Sequence, residues 1–198
     1  GADQEESAAG AATVRPLCIG DSLGLSMSDC TAWVDIYDAL DGAHWLGGTP
    51  AARLDPCGAT WTDWTKSIVC TQTRDMKHIS EIYLMGQLMP GTTERIDVTG
   101  VLPASISQLQ HLVALSIVNS GLVGQLPPSL GDIKSLKMVW LDHNSQLGGA
   151  IPITFAQLNL TVLEIHYSNF SGTLPPLNYA AIPDCTMYND NWSGAGPP

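Results

Sequence analysis

A repeat of about 24 residues organises the C-terminal half of the chain and constrains its fold more than any other feature. Leu-Pro or Ile-Pro dipeptides recur at 102–103, 126–127, 151–152 and 174–175. Gly196-Pro197 follows 22 residues after the last of them, and a short alternating apolar segment precedes each dipeptide after the first, at 115–117, 139–141, 163–165 and 185–187. One such unit cannot bury its apolar face alone, whereas stacked units share a continuous core. The repeat therefore predicts a solenoid with one short strand per unit.

The charge balance excludes several classes of partner. The 198 residues include 8 Lys and Arg against 19 Asp and Glu, for a net charge of −11. Nucleic-acid binding needs a basic face, which so few cations do not supply. No segment has the roughly 18 consecutive apolar residues of a membrane helix. We therefore expect no nucleic-acid partner and no direct membrane insertion.

The sequence contains no motif of a known catalytic chemistry. A nucleophile elbow, a P-loop and a dinucleotide fingerprint are all absent from it. We expect no enzymatic activity, no catalytic residue and no cofactor.

The cysteines point to local disulfides. They are Cys18, Cys30, Cys57, Cys70 and Cys185. None forms a Cys-x-x-Cys pair, so a structural zinc site is not expected. Cys18 and Cys30 flank a Ser/Gly loop, and Cys57 and Cys70 flank a Trp-rich segment, which makes two local disulfides the simplest interpretation. Cys185 is then either a buried thiol or a link to another chain.

Three Asn-x-Ser/Thr sequons are candidates for glycosylation, at Asn159, Asn169 and Asn191. The last two occur at one position of the repeat, so repetition alone also explains them. Together with the cysteines, the sequons favour an oxidising compartment, either the extracellular space or an organelle lumen.

The repeat and the segment before it resemble a known family. Residues 112–133 are similar to the plant-type leucine-rich repeat, L-x-x-L-x-L-x-x-N-x-L-x-G-x-I-P. Asp55-Pro-Cys57, Trp61, Trp64 and Cys70 resemble the family's N-terminal cap. The chain is thus similar to small extracellular leucine-rich-repeat proteins, such as polygalacturonase-inhibiting-protein-like proteins and receptor ectodomains. The resemblance implies an α/β repeat fold: a short right-handed solenoid of about five units, with a parallel β-sheet on its concave face and a helical, disulfide-closed cap.

The resemblance also suggests the organisation of the chain. We expect a flexible tail at 1–14, an N-terminal extension and cap at 15–78, and the solenoid at 79–198. An excess of about nine residues over a standard unit predicts a loop within 85–98.

A helix is predicted for 29–40 in the cap. Asp29 is a candidate N-cap and Gly42 a candidate terminator. Four apolar residues share one face of this helix at helical spacing: Trp33, Ile36, Tyr37 and Leu40.

Side chains between the apolar strand positions face the concave surface in this fold. We predict a partner-binding patch there, made of Tyr83, Trp140, Asp142, His143, Glu164, His166, Tyr167 and Tyr188. A strand spacing of about 4.8 Å aligns Asp142 with His166 and Tyr188, and His143 with Tyr167. Exposed rigid rings are typical of recognition surfaces, although cross-strand packing alone is the alternative.

The same patch contains the side-chain types of a metal site or an acid–base pair, namely Asp142, His143, Glu164 and His166. Cross-strand Asp–His and Glu–His pairs commonly satisfy one another, and an open concave wall excludes little water. At the sequence level we therefore expect no metal site here.

The sequence favours a non-enzymatic protein–protein interaction module, secreted or lumenal, that binds a partner through its concave face. One alternative is a structural subunit of a larger protein assembly. Another, which the resemblance suggests, is a carbohydrate-binding or hydrolase-inhibiting leucine-rich-repeat protein.

Overall fold

The computed structural model describes residues 18–45, 49–58, 66–88, 95–96, 98–188 and 190–192. The predicted tail at 1–14 and the cap residues Trp61 and Trp64 lie outside this part of the chain. Its strands are, in chain order, β1 (Lys66–Gln72), β2 (Lys77–Met85), β3 (Gln87–Leu88), β4 (Arg95–Ile96), β5 (Thr99–Gly100), β6 (Ala114–Val118), β7 (Gly121–Gln125), β8 (Met138–Trp140), β9 (Gln146–Gly149), β10 (Val162–Glu164), β11 (Asn169–Gly172), β12 (Asp184–Thr186) and β13 (Asn191–Trp192).

Helices in the described residues are short apart from the first. The α-helices are α1 (Met27–Ala39) and α2 (Pro50–Leu54). The 3₁₀ helices are Gly20–Ser22, Gly42–His44, Ala104–Gln108, Pro128–Asp132, Ile153–Gln157 and Tyr179–Ala181. Three of them directly follow a Leu-Pro or Ile-Pro dipeptide. Proline has no N–H to continue the preceding strand pairing, and its fixed φ suits the start of a helical turn.

The concave sheet has the strand order β1-β2-β6-β8-β10-β12. The last five strands are parallel and begin units one to five, as the repeat predicts. Their apolar positions are in register, with Leu115 aligned to Ile82 on one side and to Val139 on the other. This architecture confirms the predicted leucine-rich-repeat fold class. Strand β1 is an addition that the sequence analysis did not predict, and it pairs antiparallel with β2.

The return segments form a second parallel sheet, ordered β13-β11-β9-β7-β5. The sequence pattern did not predict this pairing between return segments. A glycine of each unit aligns with the apolar residue of the next, as in Gly124 with Leu147 and Gly149 with Phe170. Gly149 has a φ of +76°, and a Cβ there would lie 2.7 Å from the side chain of Gln125. The position therefore requires glycine, which explains its place in the repeat.

The predicted loop within 85–98 contains a short antiparallel pair of strands. Strands β3 and β4 pair antiparallel, with Gln87 opposite Ile96. The excess residues between the first two units are thus partly organised by backbone pairing.

One apolar core runs from the cap to the fifth unit. The strand positions Ile82, Leu115, Val139 and Leu163 are fully buried. They belong to the same cluster as Trp33 of α1 and the residues of the return segments. The cap and the repeats therefore share one core, as a solenoid requires.

Helix α1 begins earlier than predicted. Ser26 is the N-cap and its Oγ accepts a hydrogen bond from the Asp29 N–H at 3.1 Å. Asp29 is instead buried in the first turn, where its carboxylate accepts from the Ile79 N–H at 2.8 Å. The helix ends at Ala39, and Gly42 lies in the following 3₁₀ helix rather than at the helix end.

The predicted apolar face of α1 is buried in the core, with Trp33, Ile36, Tyr37 and Leu40 all at most 2% exposed. Trp33 Nε1 donates to the Ala52 carbonyl of α2 at 3.0 Å, which links the two helices of the cap.

Two disulfides close the cap, Cys18–Cys30 and Cys57–Cys70. Between them, the Asp55 carboxylate accepts from the N–H groups of Asp21, Ser22 and Gly58 at 2.7 to 3.2 Å. Cys185 is a free thiol that packs against the core in β12. Burial, together with the neighbouring Asp184 carboxylate, raises the pKa of this thiol.

Candidate functional site

Three rows of side chains cross the five parallel strands of the concave sheet. The first row is Glu81, Ala114, Met138, Val162 and Asp184. The middle row is Tyr83, Ser116, Trp140, Glu164 and Thr186. The third row continues past the ends of the strands and is Met85, Val118, Asp142, His166 and Tyr188. The rows contain four carboxylates and no Lys or Arg, so this face is anionic.

Four rings lie together on units three to five, and we call them the aromatic cluster: His143, His166, Tyr167 and Tyr188. His166 stacks on Tyr188 with ring centroids 4.7 Å apart, and His143 lies 4.7 Å from Tyr167. Tyr167 and Tyr188 meet edge to face at 5.3 Å. Both tyrosines remain exposed, at 46% and 51%. The cluster thus holds its rings against one another while presenting them to solvent.

Tyr83 and Trp140 form a separate pair further along the middle row, with ring centroids 6.4 Å apart. Trp140 Nε1 donates to Glu164 Oε1 at 3.2 Å, and the Tyr83 hydroxyl donates to Glu81 Oε2 at 2.7 Å. Burial, and then the hydrogen bond to Glu81, raise the pKa of Tyr83 to about 12. Burial and the nearby carboxylates of Asp184 and Asp142 raise the pKa of Glu164, partly offset by the Trp140 hydrogen bond.

Three of the ligand-type side chains converge between units three and four. Asp142 Oδ2 lies 2.8 Å from His143 Nδ1. One ligand atom each from Asp142, His143 and His166 lie within 4.8 Å of one another. The predicted patch is therefore brought together as a surface, in the order that strand spacing implies.

The residues that follow the strands have left-handed backbone in three successive units. The φ angles of Asn119, His143 and Tyr167 are +49°, +57° and +52°. This conformation is uncommon for bulky residues, and it recurs at the equivalent position of three successive units. A shallow cavity of about 390 Å³ adjoins them, and its lining also includes Ser145 and Gln146.

The predicted patch omitted three neighbours that belong to the same surface: Glu81, Asp184 and Asn119. Glu81 and Asp184 lie in the first row, next to the middle row that the prediction used. Side chains on one face recur at every second residue of a strand, so this alternation could have identified both residues. Asn119 occupies the position of His143 and Tyr167 in the preceding unit.

The turn position of the family's repeat is occupied by Ser120, Asn144, Ser168 and Asp190. Asn144 is fully buried, and its Nδ2 lies within hydrogen-bond distance of the carbonyls of Ile117 and Leu141 at 2.8 and 3.0 Å. Asp190 Oδ1 accepts from the Phe170 N–H at 3.2 Å. Burial raises the pKa of Asp190 to about 6, although two backbone hydrogen bonds counteract the rise.

All three sequon asparagines are exposed. Asn191 Nδ2 donates to Asn169 Oδ1 at 2.9 Å, so these two are neighbours on the second sheet. Ser193, which completes the third sequon, lies outside the described residues.

Across the part of the chain that the structure describes, no helix combines the length and the apolarity needed to span a membrane.

Comparison with known proteins places the chain among plant leucine-rich-repeat ectodomains in fold. No protein-family model matches it. Receptor-like protein 6 of Arabidopsis thaliana is 32% identical over 80 residues, which are 40% of this chain and 8% of that protein. The chain thus spans a small part of the curated relatives that it matches.

Two solved structures show the same fold over most of the chain. The ectodomain of the receptor kinase SOBIR1 from Arabidopsis thaliana has a TM-score of 0.65 at 22% identity and covers 87% of this chain and 85% of its own. The ectodomain of GASSHO1/SCHENGEN3 from the same plant, in complex with CASPARIAN STRIP INTEGRITY FACTOR 2, has a TM-score of 0.64 at 19% identity. It covers 85% of this chain and 19% of its own.

Proposed function

We propose that this chain is a non-enzymatic protein-recognition module of the extracellular space or an organelle lumen, and that it binds its partner through the concave face. The observation that carries the proposal is the exposed aromatic cluster on units three to five. Large exposed rings are the side chains that contribute most to binding when a partner buries them.

The geometry of the cluster supports recognition over simple packing. Packing between strands requires that rings cover one another, yet Tyr167 and Tyr188 each keep about half of their surface exposed. Their contacts with His143 and His166 restrict their rotamers, so little side-chain entropy is lost when a partner covers them.

The charge of the face indicates the chemistry of the partner. Glu81, Asp142, Glu164 and Asp184 lie on the rows with no Lys or Arg among them. A protein segment with Lys or Arg beside apolar or aromatic groups would complement this surface.

The similar proteins and the cysteines support the remaining parts of the proposal. Receptor-like protein 6 is a plant receptor-like protein, and the GASSHO1/SCHENGEN3 ectodomain belongs to a plant membrane receptor kinase that was solved with a bound factor. The two disulfides favour an oxidising compartment.

The proposal is tested with two variants that remove exposed rings. Tyr167→Asn suits the left-handed backbone at that position, and Tyr188→Ala removes the second tyrosine. A partner is captured from native material under non-reducing conditions, and its Kd is measured by calorimetry. Each variant is expected to weaken binding by about 2 kcal/mol, roughly thirtyfold, with little change in melting temperature.

The matched control is Ile153→Ala, which removes a 66% exposed apolar side chain from the 3₁₀ helix Ile153–Gln157. It is expected to leave the Kd unchanged. Wild-type affinity in both tyrosine variants would contradict the proposal, and loss of folding in Tyr188→Ala would favour the packing interpretation.

A carbohydrate-binding role is the second candidate. It is favoured by the cavity beside Tyr167, where Asn119 and Gln146 supply amides next to an exposed ring. Loss of oligosaccharide binding in Tyr167→Asn, with no protein partner captured, would support this role instead.

A subunit role in a larger assembly is the third. It is favoured by a cavity of about 600 Å³ against unit five, lined by Tyr179, Ile182, Cys185 and Met187 among others. A captured partner that remains bound to both tyrosine variants and is linked through Cys185 would support it.

A further inference from the structure

We propose that Asp142, His143 and His166 form a binding site for a divalent transition-metal ion such as Zn²⁺. The inference goes beyond partner recognition and does not depend on it, because metal binding is measured on the chain alone. It also departs from the expectation drawn from sequence, and the geometry between units three and four is the reason.

The three side chains already converge. Their ligand atoms lie within 4.8 Å of one another, and Asp142 Oδ2 and His143 Nδ1 are 2.8 Å apart. Ligands of a tetrahedral Zn²⁺ bind at about 2.0–2.2 Å, which sets them a little over 3 Å from each other. The third ligand, His166, would reach this distance from the other two by a small rotation of its side chain. Among the described residues, no other group of three His, Cys, Asp or Glu side chains meets this distance.

The backbone holds the two units together at this point. The His143 N–H donates to the His166 carbonyl at 3.0 Å, and the Asp142 carbonyl accepts from the Asn119 N–H at 3.1 Å. Ligands on rigid, hydrogen-bonded backbone lose little entropy when a metal binds, which favours affinity.

The donor set selects the class of metal. Two imidazoles and one carboxylate suit Zn²⁺, Cu²⁺, Ni²⁺ or Co²⁺, whereas Ca²⁺ and Mg²⁺ prefer oxygen ligands alone. The carboxylate of Glu164 lies on the middle row, next to the row of Asp142 and His166, and its charge favours a cation. Three protein ligands leave one position for water or for another molecule at the open face.

His166 has hydrogen-bonding capacity that the protein does not use. Its Nδ1 is shielded from solvent and has no hydrogen-bond partner within the part of the chain that the structure describes. Buried polar atoms without hydrogen-bond partners are uncommon. Coordination of a metal ion by His166 would give this ring a polar partner.

Two other groups of histidine and aspartate side chains provide matched controls. His44 Nδ1 lies 2.6 Å from Asp41 Oδ1, so it repeats the His–Asp pair without a second histidine. His78 and His111 stack with ring centroids 3.8 Å apart, near Asp29. They repeat the residue types of the proposed site, but the Asp29 carboxylate is already occupied by the Ile79 N–H.

The experiment uses the full chain without an affinity tag and with intact disulfides, in a Cys185→Ser background that removes thiolate as a ligand. Zn²⁺ is titrated at neutral pH by calorimetry, and Co²⁺ absorption reports the ligand set. We expect a single Zn²⁺ per chain with micromolar affinity and a Co²⁺ spectrum without thiolate bands.

Three variants remove one ligand each while keeping the local structure. His143→Asn suits the left-handed backbone, as Asn119 does one unit earlier. His166→Phe keeps the ring stacked on Tyr188, and Asp142→Asn keeps an acceptor for His143. Each is expected to weaken Zn²⁺ binding by at least about tenfold. Melting temperatures measured with a chelator present confirm that each variant folds.

The control variants His44→Asn and His111→Asn are expected to bind Zn²⁺ like the parent chain. Absence of Zn²⁺ binding by the parent, or unchanged affinity in both His143→Asn and His166→Phe, would overturn the proposal. Loss of binding in His111→Asn alone would place the metal at the His78–His111 pair and would also overturn it.

Discussion

At the scale of single residues, the side chain at the turn position of each unit decides how well that turn is satisfied. Asn144 is buried with its amide nitrogen among three carbonyl oxygens, and its Oδ1 accepts from the Leu122 N–H at 3.3 Å. Ser120 has one short hydroxyl, which donates to the Val118 carbonyl at 2.9 Å. Asp190 has no amide to donate, and its Oδ2 is buried without a hydrogen-bond partner among the described residues. The fifth turn is therefore the least satisfied of these three when Asp190 is ionised.

The pKa of Asp190 makes this turn pH-dependent. Its folded value of about 6 lies above the ordinary value of 3.8, because burial disfavours the carboxylate. The folded state binds the proton more tightly than the unfolded chain does, so the free energy of unfolding falls as pH rises between these two values. Above about pH 6 the loss is complete.

Asp190→Asn is expected to remove this penalty. The variant should exceed the parent in free energy of unfolding by about 1–2 kcal/mol at pH 7, since one pKa unit corresponds to about 1.4 kcal/mol and the site is partly exposed. Near pH 4 the gain should disappear. Urea denaturation at the two pH values measures it.

The control for the loss of one charge is Asp132→Asn, an exposed carboxylate on the 3₁₀ helix Pro128–Asp132. It is expected to show no comparable gain. An Asp190→Asn variant that is no more stable than the parent at pH 7 would contradict the account of this turn.

The sequence was sufficient to predict which site residues lie close together, but it did not predict the orientation of all of them. The alignment of Asp142 with His166 and Tyr188 follows from strand spacing and alternation alone. The left-handed backbone of His143 and Tyr167 does not, because side-chain pattern carries little information about φ at non-glycine residues. The distance between His143 and Asp142 depends on that backbone, so sequence alone did not predict a metal site.

At the scale of elements, the first sheet was predictable and the second was not. Buried strand positions alternate with partly buried ones, as β2 and β6 show, and the apolar pattern behind this alternation recurs along the repeat. The second sheet is made by backbone pairing between successive return segments, which no single unit's side chains reveal. Its glycines with positive φ are common to turns as well as to strands, so they did not distinguish the two.

The predicted start of α1 was wrong for a related reason, because it depends on a contact with a distant part of the chain. Ser26 and Asp29 are both good N-cap residues, so local sequence did not separate them. The choice is made by the Ile79 N–H, 50 residues away, which draws the Asp29 carboxylate into the core. A contact at that distance in sequence lies beyond any local pattern.

The disulfide Cys57–Cys70 links the segment after α2 to β1 of the cap. Its loop has a sequence separation of 13, and replacement of both cysteines by Ser is expected to cost about 2–4 kcal/mol of stability. Denaturant unfolding of Cys57→Ser/Cys70→Ser against the parent measures this cost.

The loop closed by Cys18–Cys30 has a similar separation of 12, so Cys18→Ser/Cys30→Ser provides the comparison. Both double variants should be destabilised. A cost below about 1 kcal/mol for Cys57→Ser/Cys70→Ser would show that β1 is held by its pairing with β2 rather than by the disulfide.

At the scale of the whole molecule, structure and recognition are divided between different surfaces. The core is continuous from Trp33 to Phe170 and includes the buried, alternate strand positions of the first sheet. The concave rows are free to carry the carboxylates and rings instead. The 3₁₀ helices on the opposite side carry few aromatic residues, which makes the concave face the distinctive surface of the chain.

The central claim is that a partner protein contacts this concave face, and photo-cross-linking tests it most directly. A photoreactive phenylalanine analogue is placed at Tyr167, at Tyr188 or at the opposite-side residue Ile153, and the chain is irradiated with its captured partner. We expect covalent adducts from Tyr167 and Tyr188 and none from Ile153. Adducts from Ile153, with none from either tyrosine position, would contradict it.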